Sequence, residues 1–596
     1  MSTTNRLPSF STLQNSLGII VFSVLLGAVI AIITAGYEFA FIHLSVYWQA
    51  LTEHLSQQLS QQLPQWISIN QSLIYATGPF LAVPFIYLLI NRIPEKRQHN
   101  PADLITGIHT NQGKINASAC VLGAVASIFS IGLGFSVGHY VPSVQLGAGI
   151  GYWAHKVKWI HPQFVHISLG AGAAAAIAAL FHAPLAAVLF VHEVLFRFFS
   201  VRAFAPITIA AVTAYTISHY FFERTIVFDM GAAFTPIPSH YLFAAIAGAV
   251  AALVGIFLIR SILHVQRFCH QRQISHVRQL LIAASITALI IAFYPQIAGV
   301  NTSAQQQIIQ AELTLVSILL VLFVLKFIAT VAAIGFGVPG GIFGGAIFIG
   351  LALGGLLVTL VNTYSPYQIQ DPQILILTTM AAMLSSVLGA PITMIVITIE
   401  LTGNFHIISV VMIAVVIANI VSFRFMGTSS YFDVLLKSRG FDVDAGRDQR
   451  YAETHSIYSL ISHDQLSIDQ ATSLKQAETQ MADNNAETAF VIDEDNNLLG
   501  ELHFLDLKLF QLDHPDDTDL VAATNPADNH LYPTTSVWQA LQAMKKTNAP
   551  FLPIVDGENN PVLLGVLHQQ ALFDYYFDML TMLRDQENAT QKSPSD

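Results

Sequence analysis

Residues 138–151 read GHYVPSVQLGAGIG, a glycine-rich turn that leads directly into a helix of small residues. Residues 337–345, GVPGGIFGG, have the same design in the second half of the chain. A helix start has backbone N–H groups without intrahelical partners, and the helix dipole adds partial positive charge there. Each segment is therefore a candidate anion site. The alternative is a tight turn that serves helix packing, and either segment alone fits both interpretations.

The two segments lie in matching halves of an internal repeat. Residues 181–193, FHAPLAAVLFVHE, correspond to residues 388–400, LGAPITMIVITIE, and ten residues separate alanine from glutamate in both. Matching broken segments in two halves of a membrane protein indicate a transport site at the interface between the repeats. We therefore expect the two helix starts to face one point. The alternative is chance similarity, because small residues are common in membrane helices.

The composition of the 596-residue chain indicates a membrane protein with a soluble tail. Hydrophobic residues make up 53% and charged residues 11%, whereas soluble domains have about 25% charged residues. Residues 441–596 contain 26 acidic and 8 basic residues, a net charge of −18, while residues 1–440 contain 11 acidic and 18 basic residues, a net charge of +7. We therefore predict an integral membrane domain at residues 1–440, followed by an acidic soluble domain.

Apolar stretches long enough to cross a bilayer, about 20 residues, recur along the first part of the chain. They lie near residues 18–46, 73–91, 207–222, 240–263, 279–296 and 313–335. Shorter stretches, or stretches broken by glycine and proline, lie near residues 116–137, 165–180, 183–199, 341–361, 373–388, 391–402 and 407–424. Broken helices at membrane depth are tolerated only where protein or an aqueous pathway satisfies the backbone.

Lysine and arginine cluster in three loops, near residues 92–97, 197–202 and 260–278. Because basic loops face the cytoplasm, we place these loops, both termini and the acidic tail there, with a bacterial inner membrane as the expected location. The first apolar run is too long for the core of a signal peptide, and no small-residue cleavage site follows it. We therefore expect it to remain as the first membrane helix.

The tail contains two copies of one small α/β unit. Residues 490–504, FVIDEDNNLLGELHF, have the pattern of strand, turn and strand, and residues 551–568, FLPIVDGENNPVLLGVLH, repeat it. A helical stretch that ends in a methionine precedes each copy. We predict the two units at residues 453–512 and 521–582.

These segments together resemble the CLC family of chloride channels and anion/proton exchangers, over about residues 20–580. The family's glycine-arginine-glutamate-glycine-proline motif and the helix after it are matched at Gly138, Pro142, Val144, Gln145, Gly147 and Ile150. GGIFGG, residues 340–345, resembles the family's Gly-x-Phe-x-Pro motif, with Gly345 in place of the proline. SSYFDVLL, residues 429–436, resembles the helix start that bears the pore tyrosine, and the tail resembles a paired CBS module.

The resemblance implies an all-α polytopic membrane domain, a CLC-like inverted repeat with broken helices, and a C-terminal cytoplasmic α/β CBS-pair domain. It also implies a homodimer in the lipid bilayer with one pore per subunit, and chloride or a similar small monovalent anion as the transported ion. We expect no required cofactor, no metal, no enzymatic reaction and no nucleic-acid partner.

An adenine nucleotide commonly binds to CBS modules of relatives, through a Thr or Ser followed by an Asp. The first unit has Asp506 but lacks the usual Thr or Ser, and the second unit has Gln569 and Gln570 and no Asp at the matching place. A structural or dimerising role for the tail is therefore favoured over nucleotide binding, which remains the alternative.

The family's motifs, matched residue by residue, place a set of residues at the anion. They are the backbone amides of His139, Tyr140, Val141, Ile342 and Phe343, the hydroxyl of Tyr431, and the side chain of His99. His99 lies in QHNPAD, residues 98–103, a degraded form of a further family motif, and an alternative register places Gln98 at the ion. A solvated cytoplasmic histidine is the other interpretation of His99, and an interfacial aromatic anchor is that of Tyr431.

Two departures from the family concern proton transfer. Tyr140 replaces the gating glutamate, and a tyrosine with a reference pKa near 10 stays neutral. Val194 follows Glu193 where the family's transporters have a second glutamate, so the proton-relay position is lost and the channel pattern is present. Because Glu193 and Glu400 occupy symmetric places in the repeats, we expect both to have a packing role.

These observations predict a passive anion channel or an uncoupled anion transporter, with Tyr140 as its gate. One alternative is a proton-coupled anion antiporter with an atypical proton route, for which His139 beside the gate is the candidate. The other is a non-conducting membrane sensor or scaffold of the CLC fold that signals through its tail. Tyr140 in place of the gate carboxylate and Gly345 in place of the proline are compatible with this second alternative.

Overall fold

A computed structural model describes residues 10–62, 70–109, 115–156, 164–221, 236–428, 430–438, 447–514, 519–526, 529–547, 549–557 and 561–588. The chain divides into two compact units, Met1–Val443 and Asp444–Asp596, and each is described by itself. The predicted cytoplasmic placement of the termini concerns residues 1–9 and 589–596, which lie outside the described residues.

The first unit is built from helices. Its first half comprises α1 (Phe10–Gln62), α2 (Gln71–Tyr75), α3 (Gly78–Ile90), α4 (Pro101–His109), α5 (Ala117–Gly132), α6 (Tyr140–Ala154), α7 (Val165–Phe181), α8 (Pro184–Phe190) and α9 (Val201–Phe221). Its second half comprises α10 (Pro238–Gln271), α11 (His276–Phe293), α12 (Thr302–Ile309), α13 (Val316–Gly335), α14 (Ile342–Tyr364), α15 (Pro372–Leu388), α16 (Pro391–Thr402), α17 (Ile408–Met426) and α18 (Tyr431–Ser438). A π-helical turn, Val191–Phe196, follows α8 directly.

Seven stretches of the described chain are long and apolar enough to cross a membrane. They are Leu17–Gln61, Gln71–Ile90, Pro238–Gln271, His276–Phe293, Val316–Gly335, Ile342–Tyr364 and Phe405–Ser438. The chain is therefore a multi-pass integral membrane protein. The predicted span at 73–91 is interrupted between α2 and α3, because Pro79 in the first turn of α3 lacks the N–H that a continuous helix would need.

The stretch near 341–361, predicted to be short or broken, is instead the continuous 23-residue helix α14. Its glycines do not break it. A Cβ atom at Gly350 would lie 2.8 Å from the Cα atom of Met380 in α15, so this glycine lets the two helices approach closely.

The internal repeat is present in the backbone. Helix α7 is followed by His182 and α15 by Gly389, both in the left-handed conformation, with φ of 55° and 68°. The next residues also match: Ala183 has φ −125° and ψ 72°, and Ala390 has φ −129° and ψ 66°. A proline then begins α8 and α16, where its fixed φ and missing N–H suit the first helical position.

The second unit repeats a smaller α/β pattern. Its elements are α19 (Arg447–Thr454), β1 (Ser467–Asp469), α20 (Leu474–Asp483), β2 (Thr488–Ile492), β3 (Leu498–His503), α21 (Phe504–Asp513), α22 (Val537–Thr547), β4 (Phe551–Asp556), β5 (Val562–His568) and α23 (Gln569–Asn588). Strand β2 pairs in parallel with β1 and antiparallel with β3. Strand β4 pairs antiparallel with β5, and a parallel bridge from Leu531 to Ile554 takes the place of β1.

The two copies in the tail exchange strand contacts. Ser462, which precedes the first copy's strands, bridges Val566 in β5 of the second copy. Asn525, which precedes the second copy's strands, bridges Glu501 in β3 of the first copy. Each copy thus contributes a bridge to a strand of the other. The strands and helices fit a CBS-type α/β module.

Candidate anion site

The two glycine-rich turns meet at the start of α6 and α14. Gly138 and Gly341 exchange both backbone hydrogen bonds, each with an N···O distance of 2.8 Å. A Cβ atom at Gly138 would lie 2.5 Å from the nitrogen of Gly344, and one at Gly344 would lie 2.7 Å from the Cα atom of Gly138. Only glycine permits this approach, so the structure brings together the two helix starts that the sequence places 200 residues apart.

Three rings cluster around Tyr140 at the start of α6. The Tyr140 ring stacks on Phe181, with centroids 3.8 Å apart and planes at 14°, and meets Phe343 edge-on at 5.0 Å. The His139 ring lies 3.9 Å from Tyr140, and Phe181 meets Phe343 edge-on at 5.2 Å. Aromatic pairs of this geometry contribute roughly 0.5–1.5 kcal/mol each beyond their buried area. The predicted gate residue is therefore held in place by its neighbours.

A small apolar cavity of about 20 Å³ lies beside these rings. Its aromatic lining consists of Tyr140, Phe181, Phe190, Phe343 and Phe432. A cavity of this size accommodates about one water molecule. The hydroxyl of Thr393, which also lines it, already donates to the Glu193 carboxylate at 2.6 Å. The space next to the gate is thus narrow and largely apolar.

A much larger cavity, about 530 Å³, lies on the other side of a partition. We call it the vestibule. Its basic lining residues are Lys96, Arg97, His99, His270 and His276. Three residues, Pro101, Val141 and Phe432, line both cavities and so form the partition between the small cavity and the vestibule.

The structure places the predicted site residues around these two cavities. The small cavity is lined by Tyr140, Val141 and Phe343, and the vestibule is lined by His99, Val141, Ile342 and Tyr431. His139 lies next to the gate ring and is 6% exposed.

Tyr431, at the start of α18, is buried and contacts the vestibule. It is 6% exposed, and its hydroxyl oxygen accepts a hydrogen bond from Gln266 Nε2 at 3.3 Å. Asp433, in the same turn, forms an ion pair with Arg197. It is not among the described residues that line the vestibule.

The segment at 97–103 closes one wall of the vestibule. Gln98 Oε1 accepts a hydrogen bond from the Gly340 N–H at 2.5 Å and so holds the second glycine-rich turn. His99 is 7% exposed, with Nε2 3.3 Å from Glu95 Oε2, so it is not a solvated surface histidine. Arg97 donates two hydrogen bonds to Asp103, at 2.9 and 2.6 Å, which raise the pKa of its guanidinium.

The two repeat glutamates cap helices of the opposite half. The Glu193 carboxylate accepts hydrogen bonds from the N–H groups of Ile392 and Thr393 at the start of α16, at 3.0 and 2.8 Å. The Glu400 carboxylate accepts from the N–H groups of Leu185 and Ala186 at the start of α8, at 2.9 and 2.8 Å. Carboxylates stabilise helix starts in this way, so both acids have the contacts of structural residues. Val194, beside Glu193, is 3% exposed within the apolar core.

The proline missing from the second motif has a local explanation. A Cβ atom at Gly345 would lie 2.5 Å from Cγ2 and 2.6 Å from Oγ1 of Thr330 in α13. No side chain fits there while α13 packs this closely. Replacement of proline by glycine at residue 345 therefore preserves the helix start and permits the packing of α13 on α14.

Some features of the site have no signal in the sequence. Phe181, which stacks on the gate, looks like an ordinary apolar residue before the repeat segment. Within the described ranges, no three His, Cys, Asp or Glu side chains lie together as metal ligands would.

Comparisons with known proteins concern both units. A family model for the voltage gated chloride channel matches residues 81–423, and a CBS domain model matches residues 521–578. The voltage-gated ClC-type chloride channel ClcB of Shigella flexneri is 27% identical over 343 residues, which cover 57% of this chain and 81% of the relative. ClcB of Escherichia coli O17:K52:H18 is 28% identical over 347 residues, with the same two coverages.

Solved structures share the fold. A slow cyanobacterial Cl⁻/H⁺ antiporter superposes with a TM-score of 0.63 at 21% identity, over 71% of this chain and 98% of its own. A eukaryotic CLC transporter superposes with a TM-score of 0.61 at 18% identity, over 94% of this chain and 98% of its own. A CLC-type fluoride/proton antiporter has a TM-score of 0.55 at 21% identity, over 72% and 98%.

Proposed function

Because this chain belongs to the voltage-gated chloride channel (CLC) family, we propose that it is a passive anion pathway, a channel or uncoupled transporter, with Tyr140 as the gate. The joined helix starts of α6 and α14 supply backbone N–H donors, and the vestibule supplies an entrance lined by basic side chains. N–H and O–H donors at helix starts favour anions over cations.

The observation that carries the proposal is the absence of a carboxylate along this route. Among the described residues that line the small cavity and the vestibule there is no aspartate or glutamate. Tyr140 stands at the gate, and Val194 stands at the inner relay position. Glu193 and Glu400 are held by backbone N–H groups of other helices. Coupled exchange in the family uses one carboxylate at the anion site and a second that relays the proton, and the described lining of this route contains neither carboxylate.

The experiment that tests the proposal measures proton movement in sealed liposomes that contain the purified protein. A chloride gradient is applied, and anion flux and internal pH are recorded together. We expect anion flux without stoichiometric proton movement, and a reversal potential in a KCl gradient that follows chloride. Uphill proton transport driven by the chloride gradient would overturn the proposal.

The second candidate is proton-coupled antiport by another route. The His139 ring, 3.9 Å from the Tyr140 ring, favours it, because histidine titrates near neutral pH. Two of the structural neighbours are described as Cl⁻/H⁺ and fluoride/proton antiporters. Uphill proton transport that is lost in His139→Gln would identify this mechanism.

The third candidate, a non-conducting sensor or scaffold, draws support from the closed gate. The four clustered rings and the narrow cavity beside them leave little space next to the helix starts. Complete absence of anion flux from a well-folded protein and from its Tyr140→Ala variant would favour this candidate.

We also propose a topology and an assembly. The basic residues of the vestibule, together with the basic loops, support a vestibule that opens to the cytoplasm of a bacterial inner membrane, with both termini on that side. Family membership supports a homodimer with one pore per subunit. Mass measurement in detergent tests this assembly, and a monomer would contradict it.

For the tail we propose a structural or dimerising role. The domain limits remain as proposed, with units at 453–512 and 521–582 after a membrane domain at 1–440. The Asp506 carboxylate accepts a hydrogen bond from Asn525 Nδ2 at 2.8 Å, so the acid that relatives use for a ribose has an internal partner here. Saturable binding of ATP or AMP to the purified protein would contradict this role.

A further inference from the structure

Lys326 is a buried lysine in the middle of α13. It is 2% exposed, and its ammonium donates hydrogen bonds to the carbonyl oxygens of Ile297 and Gly299, both at 2.9 Å. The nitrogen also lies 4.9 Å from the ring centroid of Phe348 in α14. No carboxylate in the described part of the chain lies within ion-pair distance of it. Its protonated form is thus solvated by carbonyl dipoles and a ring face, with no carboxylate of the described residues to compensate the charge.

Two contacts connect Lys326 with the first glycine-rich turn. Gly299, whose carbonyl Lys326 holds, donates its N–H to the carbonyl oxygen of Gly134 at 3.2 Å. One helical turn after Lys326, the hydroxyl of Thr330 lies 3.3 Å from the hydroxyl of Ser136. Residues 134–136 lead directly into Gly138 and the start of α6, so the surroundings of Lys326 support that start.

Lys326 also lies close to the second helix start. Phe348, over which the ammonium sits, follows Ile342 by six residues, a distance of about 9 Å along α14 at about 1.5 Å per residue. An intramembrane charge is expensive to bury and is usually functional. A lysine has three donors and no acceptor, so carbonyl oxygens and a ring face are suitable neighbours for its charged form.

We propose that Lys326, in its protonated form, sets the anion affinity of the joined helix starts. Its positive charge then lies beside α14, and its hydrogen bonds fix the loop that supports α6. This inference rests on the proposed anion pathway. Lys326 is a positioning residue, because it acts on the anion through the field and through the backbone, without contact. A unit charge about 10 Å away, at an effective dielectric constant of about 20, changes anion binding by roughly tenfold.

The test compares three substitutions in the full-length protein. Lys326→Arg keeps the charge, Lys326→Gln keeps hydrogen-bond donors without the charge, and Lys326→Met removes both. Lys156→Met, at an exposed position of the same unit, is the matched control. We expect the half-saturating chloride concentration for flux to rise roughly tenfold in Lys326→Gln and Lys326→Met, and the chloride-over-potassium permeability ratio to fall with it. Lys326→Arg and Lys156→Met should stay within about threefold of the native protein.

A purely structural role gives a different result. It lowers the maximal flux and the melting temperature in Lys326→Met, but leaves the half-saturating concentration and the permeability ratio unchanged. That result in folded Lys326→Gln or Lys326→Met would overturn the inference.

A second measurement separates the inference from the proposed function. Chloride binding is followed in detergent by the rise in melting temperature with chloride concentration, which needs no flux. A native protein that binds chloride without conducting, and whose binding weakens in Lys326→Gln, refutes the pathway and supports the role of Lys326. Equal chloride dependence in the native protein and Lys326→Gln refutes the role of Lys326, whether or not the native protein conducts.

Discussion

The two helix starts are joined through Gly138 and Gly341, but they have different side chains. In the first half, α6 begins with Tyr140, whose ring is stacked on Phe181. In the second half, α14 begins with Ile342, and its first turn also contains Gly344 and Gly345, which pack against backbone and against Thr330. The first half thus has a stacked aromatic ring at its helix start, whereas the second half has two further glycines there. The proposed gate therefore belongs to one repeat, although both repeats contribute to the proposed site.

The two halves also differ, by a single hydrogen bond, in how their glutamates cap helices of the opposite half. Glu193 accepts three hydrogen bonds from α16, including one from the Thr393 hydroxyl at 2.6 Å. Glu400 accepts two from α8. The halves are therefore tied to each other in both directions, with one more hydrogen bond on the side of Glu193.

Substitution of Gly344 should have the largest effect, because it breaks the junction between the halves. In Gly344→Val the Cβ atom would lie 2.7 Å from the Cα atom of Gly138, and backbone cannot shift there without opening the paired turns. We expect loss of anion flux and a loss of at least about 1–3 kcal/mol in stability. Gly36→Val is the control, because a Cβ atom at Gly36 has no neighbour within 4 Å. Native-like flux in Gly344→Val would show that the junction is not needed.

Removal of the Tyr140 ring should have the next largest effect, because it leaves only a small side chain at the start of α6. Tyr140→Ala removes ring contacts with His139, Phe181 and Phe343, which together contribute about 2–3 kcal/mol. We expect anion flux from liposomes to rise at least about tenfold, and Tyr140→Phe to stay within about twofold. Unchanged flux in Tyr140→Ala would place the gate elsewhere.

A carboxylate at residue 140 tests whether this position alone decides proton transfer or only obstructs the anion. Tyr140→Glu provides a titratable group in the first half, but Val194 still provides no inner relay. We expect Tyr140→Glu to change anion flux without producing uphill proton transport, measured with the same liposomes and pH indicator. Coupled proton movement in this single variant would mean that another residue relays the proton.

The two caps allow a smaller and matched comparison. Glu193→Gln loses the charge and an acceptor for Thr393, and we expect it to lower the stability of the membrane unit by about 1–3 kcal/mol. Glu400→Gln should lower it by less, because its carboxylate accepts fewer hydrogen bonds. Melting temperatures in detergent measure both. A larger loss in Glu400→Gln would contradict the order of the two caps.

The smallest effect should be that of pH on flux. Tyr140 has a reference pKa near 10, Val194 has no titratable group, and both repeat glutamates are engaged as caps. We expect anion flux to vary by less than about threefold between roughly pH 5 and pH 8. Steeper dependence that disappears in His139→Gln would assign the titration to His139 and favour the coupled mechanism.

The sequence by itself determined the features that depend on local chemistry. Glycine and proline mark the starts of α6, α8, α14 and α16, because few other residues permit such turns or first helical positions. The charge difference between residues 1–440 and 441–596 separates a membrane unit from a soluble tail. Through the family resemblance, the identities of Tyr140 and Val194 predict that two carboxylates of the family are missing. These conclusions need no knowledge of distant neighbours.

Only the tertiary structure decided which residues act together. Glu193 meets α16 across 199 positions of sequence, and Gln98 meets Gly340 across 242. The stacking of Phe181 on Tyr140 and the hydrogen bonds of Lys326 likewise depend on segments that are remote in sequence. An apolar helix carries many similar residues, and periodicity gives the face of a helix but not its partner. Contacts between helices, and therefore the gate and its supports, are set by packing in three dimensions.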